Sequence, residues 1–139
     1  MLHLRTTDFE KMVDWARAQL PEEACGLLAG HVDVRGEAYV EQVFCLENAD
    51  HTNEHFTISP KDQLACIREA RAAGLSLLGN WHSHPETPAR PSAEDLRLAN
   101  DPSALYAILS LEDPAWPSII AYTQDASRTV KRVMISHEE

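Results

Sequence analysis

Phe9, Met12, Val13, Ala16 and Leu20 recur three or four positions apart, giving one apolar helical face. Thr7 and Glu10 have the spacing of a capping box at its start, and Pro21 ends it because proline cannot donate the next backbone hydrogen bond. A short strand, Leu2 to Arg5, precedes this helix. From Ala24 to Val34 the chain is apolar, with glycines at 26 and 30. From Glu37 to Leu46 it alternates loosely around Val40, Val43 and Phe44. These runs predict two paired strands joined around Asp33 to Gly36.

Asn48 to Glu54 reads as a polar loop and Phe56 to Ile58 as another short strand. Pro60 then opens a second helix at a position where proline is tolerated, and Gly74 follows its end near Ala73. Leu64, Ile67, Ala70 and Arg71 mark that helix's face. Leu75 to Trp81 is a continuous apolar run of strand length, which predicts a central strand covered on both sides. Ser92 to Asn100 predicts a short helix, and Ala104 to Leu111, Ser118 to Thr123 and Thr129 to Ile135 predict three more strands. The expected fold is α/β: a single domain over residues 1–139, with helices packed on a mixed sheet.

A length of 139 residues suits one core, and 12 basic against 22 acidic residues give a formal net charge of −10. That charge repels phosphate backbones and anionic lipid, so neither nucleic acid nor membrane is an expected partner. Cysteines 25, 45 and 66 are odd in number and form no Cys-x-x-Cys pair. They read as reduced core residues. The first residues contain no secretory apolar run and no stretch has the length of a membrane span, so a cytoplasmic location is expected.

The chemistry concentrates between Trp81 and Asp95, which read Trp-His-Ser-His-Pro-Glu-Thr-Pro-Ala-Arg-Pro-Ser-Ala-Glu-Asp. On a strand, His82 and His84 face the same way and Ser83 the other. A turn then brings Ser92 and Asp95 back at the start of a helix. Two imidazoles, a carboxylate and one open position are the donor set of a catalytic zinc site, whereas structural sites close with four protein ligands. Each piece has a plainer reading: His-x-His as surface histidines, Ser92 as a helix cap, Asp95 as a residue favoured by the helix dipole. The cap and the metal readings of Ser92 are compatible. Glu22 and Glu23, after Pro21, both offer a general base. Trp81 reads as a core or edge aromatic, Cys25 as a small buried thiol, and His31 and His137 as surface residues without partners at ligand spacing.

With Glu23-Ala-Cys-Gly, His82-Ser-His84-Pro and Pro91-Ser92-Ala-Glu-Asp95, the chain resembles the JAMM/MPN (Mov34/MPN/PAD-1) metallopeptidases over about residues 2–124. The resemblance implies a curved mixed sheet flanked by helices, of the cytidine deaminase-like, JAB/MPN type. It implies Zn²⁺ held by His82, His84 and Asp95, with Glu23 acting on the bound water and Ser92 assisting at the oxyanion. The family register selects Glu23 over Glu22 and leaves out His51 and His55. Zinc lowers the pKa of bound water toward about 7 and polarises a carbonyl, the chemistry such a hydrolase uses.

Because the chain has none of the insertions that grip ubiquitin, it is similar to small stand-alone prokaryotic members. Some of these cleave after the C-terminal Gly-Gly of a ubiquitin-like sulfur-carrier protein. The resemblance therefore implies a zinc peptidase or isopeptidase with such a carrier as partner. Other ubiquitin-like conjugates or peptides, or a non-catalytic MPN scaffold, are the alternatives. Two imidazoles and a carboxylate also accept other first-row metals.

Overall fold

The computed structural model describes residues 1–139. In chain order the elements are β1 (Leu2–Arg5), α1 (Thr6–Gln19), β2 (Cys25–Val32), β3 (Ala38–Leu46), α2 (Pro60–Ala72), β4 (Ser76–His84), α3 (Ala93–Leu98), β5 (Leu105–Ser110), β6 (Ser118–Gln124), β7 (Val130–Val133) and β8 (Ile135–Glu138). All eight strands form one mixed sheet in the order β7-β6-β5-β4-β2-β3-β1-β8. β4 with β5, and β1 with β3 and β8, pair parallel; the remaining neighbours are antiparallel.

The curvature follows from that order. β7 and β8 are opposite edges of the sheet, yet Met134 alone separates them. Consecutive Cα atoms lie about 3.8 Å apart, so the two edges must meet and the sheet must roll. The Leu2 N–H donates to the Met134 carbonyl at 2.8 Å, fastening β1 to the join. The sequence predicts one strand from Thr129 to Ile135; the structure divides it, because Val130–Val133 pair with β6 and Ile135–Glu138 pair with β1. Val133, Met134 and Ile135 form an unbroken apolar run, so periodicity carries no sign of the change in partner.

Inside the roll, Met12, Val13 and Ala16 of α1 pack on Leu2, Leu4, Leu28, Val43, Trp81 and Leu109, all buried. Outside it, Cys66 and Ala70 of α2 cover Leu27, Ala29 and Phe44. Tyr106, Ile108, Ile120 and Tyr122 form a second outer cluster beneath α3 and Ala99. β4 is central and runs straight through His84. Its register against β2 shifts at the Leu28/Ala29 step, leaving Leu78 as an extra residue. Beyond that bulge Trp81 faces inward, and its Nε1–H donates to the Phe44 carbonyl at 3.1 Å. His82 and His84 take the outer face.

Three local expectations differ from the structure. No capping box forms at Thr7: the helix starts two residues earlier than that box would place it, Arg5 is its N-cap, and the Arg5 Nε–H donates to Asp8 Oδ2 at 2.8 Å. Phe56 to Ile58 is not a strand. Thr57 instead donates its N–H to Asn48 Oδ1, so a side chain satisfies backbone that a ladder would otherwise pair. On α2 the packed residues are Cys66 and Ala70, while Leu64 is 48% exposed. No helix is long and apolar enough to cross a membrane.

Candidate metal centre

The C-terminal half of β4 presents His82 and His84 side by side, with 3.3 Å between their Nε2 atoms. The turn after His84 leads to α3, whose N-terminus is closed by a reciprocal pair of hydrogen bonds. Ser92 Oγ accepts from the Asp95 N–H and Asp95 Oδ2 accepts from the Ser92 N–H, each at 3.0 Å. This box fixes the carboxylate over the histidines. Asp95 Oδ1 lies 3.2 Å from His82 Nε2, and Oδ2 lies 3.0 Å from His84 Nε2. One donor atom from each of the three residues falls within 4.8 Å of the others.

The donor states suit a cation. Burial lowers the His82 pKa, keeping its ring neutral with a lone pair to offer. Burial also pulls His84 downward, but hydrogen bonds to Asp95 and to the Pro88 carbonyl outweigh it and hold the ring above its ordinary value. His84 Nδ1–H donates to the Pro88 carbonyl at 3.0 Å, so Nε2 is the atom aimed into the cluster. Burial alone would raise Asp95; the two histidines and the Ser92 N–H instead hold it well below the carboxylate range. Two Nε2 atoms and a carboxylate thus lie close enough together to be ligands of one divalent ion.

Glu23 sits just before β2, beside the ligands. The Ala24 N–H donates to Ser83 Oγ at 2.7 Å, and the Ser83 N–H donates to the Ala24 carbonyl at 2.9 Å, locking this segment to β4. The Glu23 side chain is buried, and its Oε1 has no hydrogen-bond partner. Burial pushes its pKa up to about 8, opposed by the charge of His84. A buried acceptor without a partner is costly, and here it faces a cluster that would hold a cation and water. Glu22 points away, its Oε2 3.3 Å from His51 Nδ1 at the surface. The Ser92 hydroxyl accepts the capping bond, which leaves its proton free to donate outward.

Several supporting residues escape sequence reasoning. Asn48 is 1% exposed, and its Nδ2 donates to the carbonyls of Glu23, Thr52 and His55 at 3.1, 3.4 and 3.0 Å. Its Oδ1 accepts from the N–H groups of Asp50 and Thr57. It thus ties the Glu23 segment to the loop that carries Phe56, whose ring stacks on His82 at 4.7 Å. In sequence, Asn48 is one polar residue in a polar loop, and only its burial distinguishes it. Asn48→Asp should cost about 3 kcal/mol of stability, since three carbonyls lose their donor and a carboxylate is buried among them. Urea unfolding measures this, and kcat should fall with it as the Glu23 segment loosens. Of the remaining histidines, His31 and His137 are exposed, His51 pairs with Glu22, and His55 lies beside the cluster without joining it. All three cysteines are free.

Residues 6–125 match the family described as prokaryotic homologs of the JAB domain. The CysO-cysteine peptidase of Mycobacterium tuberculosis is 33% identical over 114 residues, covering 82% of this chain and 76% of that protein. A solution structure of a Desulfitobacterium hafniense protein is 44% identical, covers 100% of this chain and 94% of its own, and superposes with a TM-score of 0.92. A JAB1/MPN domain protein from Archaeoglobus fulgidus shares the fold at 22% identity, full coverage of both chains and a TM-score of 0.63. With the sheet, the flanking helices and the His-His-Asp cluster in place, the chain belongs to the prokaryotic JAB-domain family.

Proposed function

We propose that residues 1–139 form one zinc-dependent peptidase domain that hydrolyses the bond after the C-terminal Gly-Gly of a ubiquitin-like sulfur-carrier protein. The observation that carries the reading is the convergence of His82, His84 and Asp95 beside the buried, unpartnered Glu23 Oε1. The name of the mycobacterial relative, a CysO-cysteine peptidase, supports the carrier as substrate. Three unpaired cysteines are in keeping with action in a reducing cytoplasm.

His82, His84 and Asp95 would hold the ion, which when bound supplies Lewis acidity toward water and the scissile carbonyl. Beside a bound cation the carboxylate form of Glu23 is favoured over the neutral form that burial alone favours, and Oε1 then takes the proton of the attacking water and delivers it to the leaving amine. The exposed Ser92 hydroxyl donates to the oxygen on which charge develops, a contact typically worth ~10²- to 10³-fold in rate. The Asp95–Ser92 box and the Pro88 carbonyl keep these groups in place through the reaction. The Phe56 ring on His82 screens that side from solvent.

The test is mass spectrometry of a ubiquitin-like carrier ending in Gly-Gly plus one residue, incubated with zinc-loaded enzyme. Loss of that residue alone is expected, and a chelator should abolish it. An intact carrier in the presence of loaded enzyme would refute the carrier assignment.

A further inference from the structure

The end of the sheet that carries the metal cluster also exposes a tryptophan. His84 of β4 pairs with Ser110 of β5, and Ser110 pairs in turn with Ser118 at the start of β6. The turn between β5 and β6, residues 111–117, therefore stands at the same end as His84 and Glu23. Trp116 in that turn is 79% exposed, whereas Trp81 is fully buried and Trp15 half-buried. Three hydrogen bonds brace it. The Trp116 N–H donates to the Asp113 carbonyl at 3.0 Å, Ser110 Oγ donates to the Thr87 carbonyl at 2.6 Å, and Arg17 Nη2 of α1 donates to the Pro114 carbonyl at 2.8 Å. The last bond brings the end of α1, with Leu20 and Pro21 exposed, to the same rim as Pro114 and Trp116. These apolar side chains form a group rather than scattered singles, and a group of this kind marks an interaction surface.

We propose that this rim is the dock for the folded body of the carrier, and that it receives an apolar surface bordered by basic residues, with Trp116 as the anchor. The inference rests on the carrier reading above. Continuity with the reacting groups is its first support. An extended chain advances at most about 3.5 Å per residue, so a tail of about five residues that ends at the metal keeps the folded body within roughly 18 Å of it. Neighbouring strands lie about 4.8 Å apart, and the Trp116 turn springs from the strand next to His84. Val32 and Val34 are also exposed, but they lie at the opposite end of β2, roughly 23 Å from Cys25. Charge is the second support. Glu86, Glu112 and Asp113 are exposed in the turns that follow β4 and β5, where Arg90 alone is basic. A basic border on the partner complements them, and the net charge of −10 favours its approach.

The test compares zinc-loaded Trp116→Ala with the parent on two substrates: a folded ubiquitin-like carrier ending in Gly-Gly plus one residue, and a short peptide copying only the end of that carrier. With the carrier, KM should rise about tenfold or more while kcat changes little, as expected when an aromatic anchor is truncated. With the peptide, which has no body to dock, kcat/KM should be the same for both proteins. Glu112→Lys should raise the carrier's KM about threefold, and added salt should raise it in the parent. Val34→Asp, at the far end of the sheet, should leave it unchanged. An equal KM for the carrier in Trp116→Ala and the parent, or an equal loss on the peptide, would overturn the proposal.

A binding measurement separates the dock from the reading beneath it. The Trp116 indole N–H resonance of ¹⁵N-labelled protein should shift when a carrier ending in Gly-Gly is added. If it shifts but no extended carrier is cleaved, the dock survives and the carrier fails as a substrate. If carriers are cleaved with equal KM by parent and Trp116→Ala, and the resonance stays fixed, the dock fails and the cleavage reading survives. A fixed resonance without cleavage overturns both. Sedimentation of the free enzyme tests the other occupant: a dimer that Trp116→Ala dissociates would give the rim to a second copy of this chain and overturn the proposal.

Discussion

Glu23→Gln should retain its metal and lose about 10²- to 10⁴-fold in kcat, the usual contribution of a positioned general base. The substitution keeps the shape of the side chain and removes only its capacity to take a proton. Because Oε1 has no partner in the fold, no existing hydrogen bond to that atom is lost, and stability should change little. The backbone that holds Glu23 depends on Asn48, Ser83 and Thr52 and is untouched by the change. Zinc content by elemental analysis, circular dichroism and single-turnover cleavage together check the result. Full activity in this variant would transfer the base role, but Glu22 is poorly placed to inherit it, with its carboxylate turned toward His51 at the surface. A Glu22→Gln protein should therefore keep near-normal turnover.

The fold was legible where periodicity and burial coincide. Pattern reads the apolar face of α1, and it reads the run into β4 from Leu78 onward, whereas Ser76 and Leu77 at its start are exposed. It fails where partners change without a change in character, as at Met134, and where a side chain replaces a backbone ladder, as Asn48 does for Thr57. The candidate ligands were legible because His-x-His on a strand leaves no freedom in which face the rings share. Their support was not. The Pro88 carbonyl behind His84, the Phe56 ring on His82 and the three carbonyls gathered by Asn48 are long-range or backbone contacts with no sequence signature. The Leu78 bulge belongs with them. It sets the phase that sends Trp81 into the core and the histidines outward, and nothing in Leu77-Leu78-Gly79 announces it.

His84→Ala and Asp95→Asn should each reduce zinc from about one ion per chain to almost none and abolish turnover, since each removes one of only three protein donors. Asparagine is the better replacement at 95, because its side-chain oxygen can still accept from the Ser92 N–H and keep the cap of α3, whereas alanine would cost about 1 kcal/mol there. The metal-free fold does not depend on the ion in the way a zinc finger does: Trp81, Ala107 and Leu109 are fully buried on the inner face, and β4 is paired on both sides. Both variants should therefore fold and differ from the parent in their response to added zinc. With free zinc at a hundred times Kd, binding should stabilise the parent by about 2.7 kcal/mol, roughly 6–10 °C in Tm for a chain of this size. The variants should show no such rise. A full zinc complement and an undiminished thermal shift in His84→Ala would place the ion elsewhere, and the exposed His51–Glu47–Glu22 group would be the next place to look.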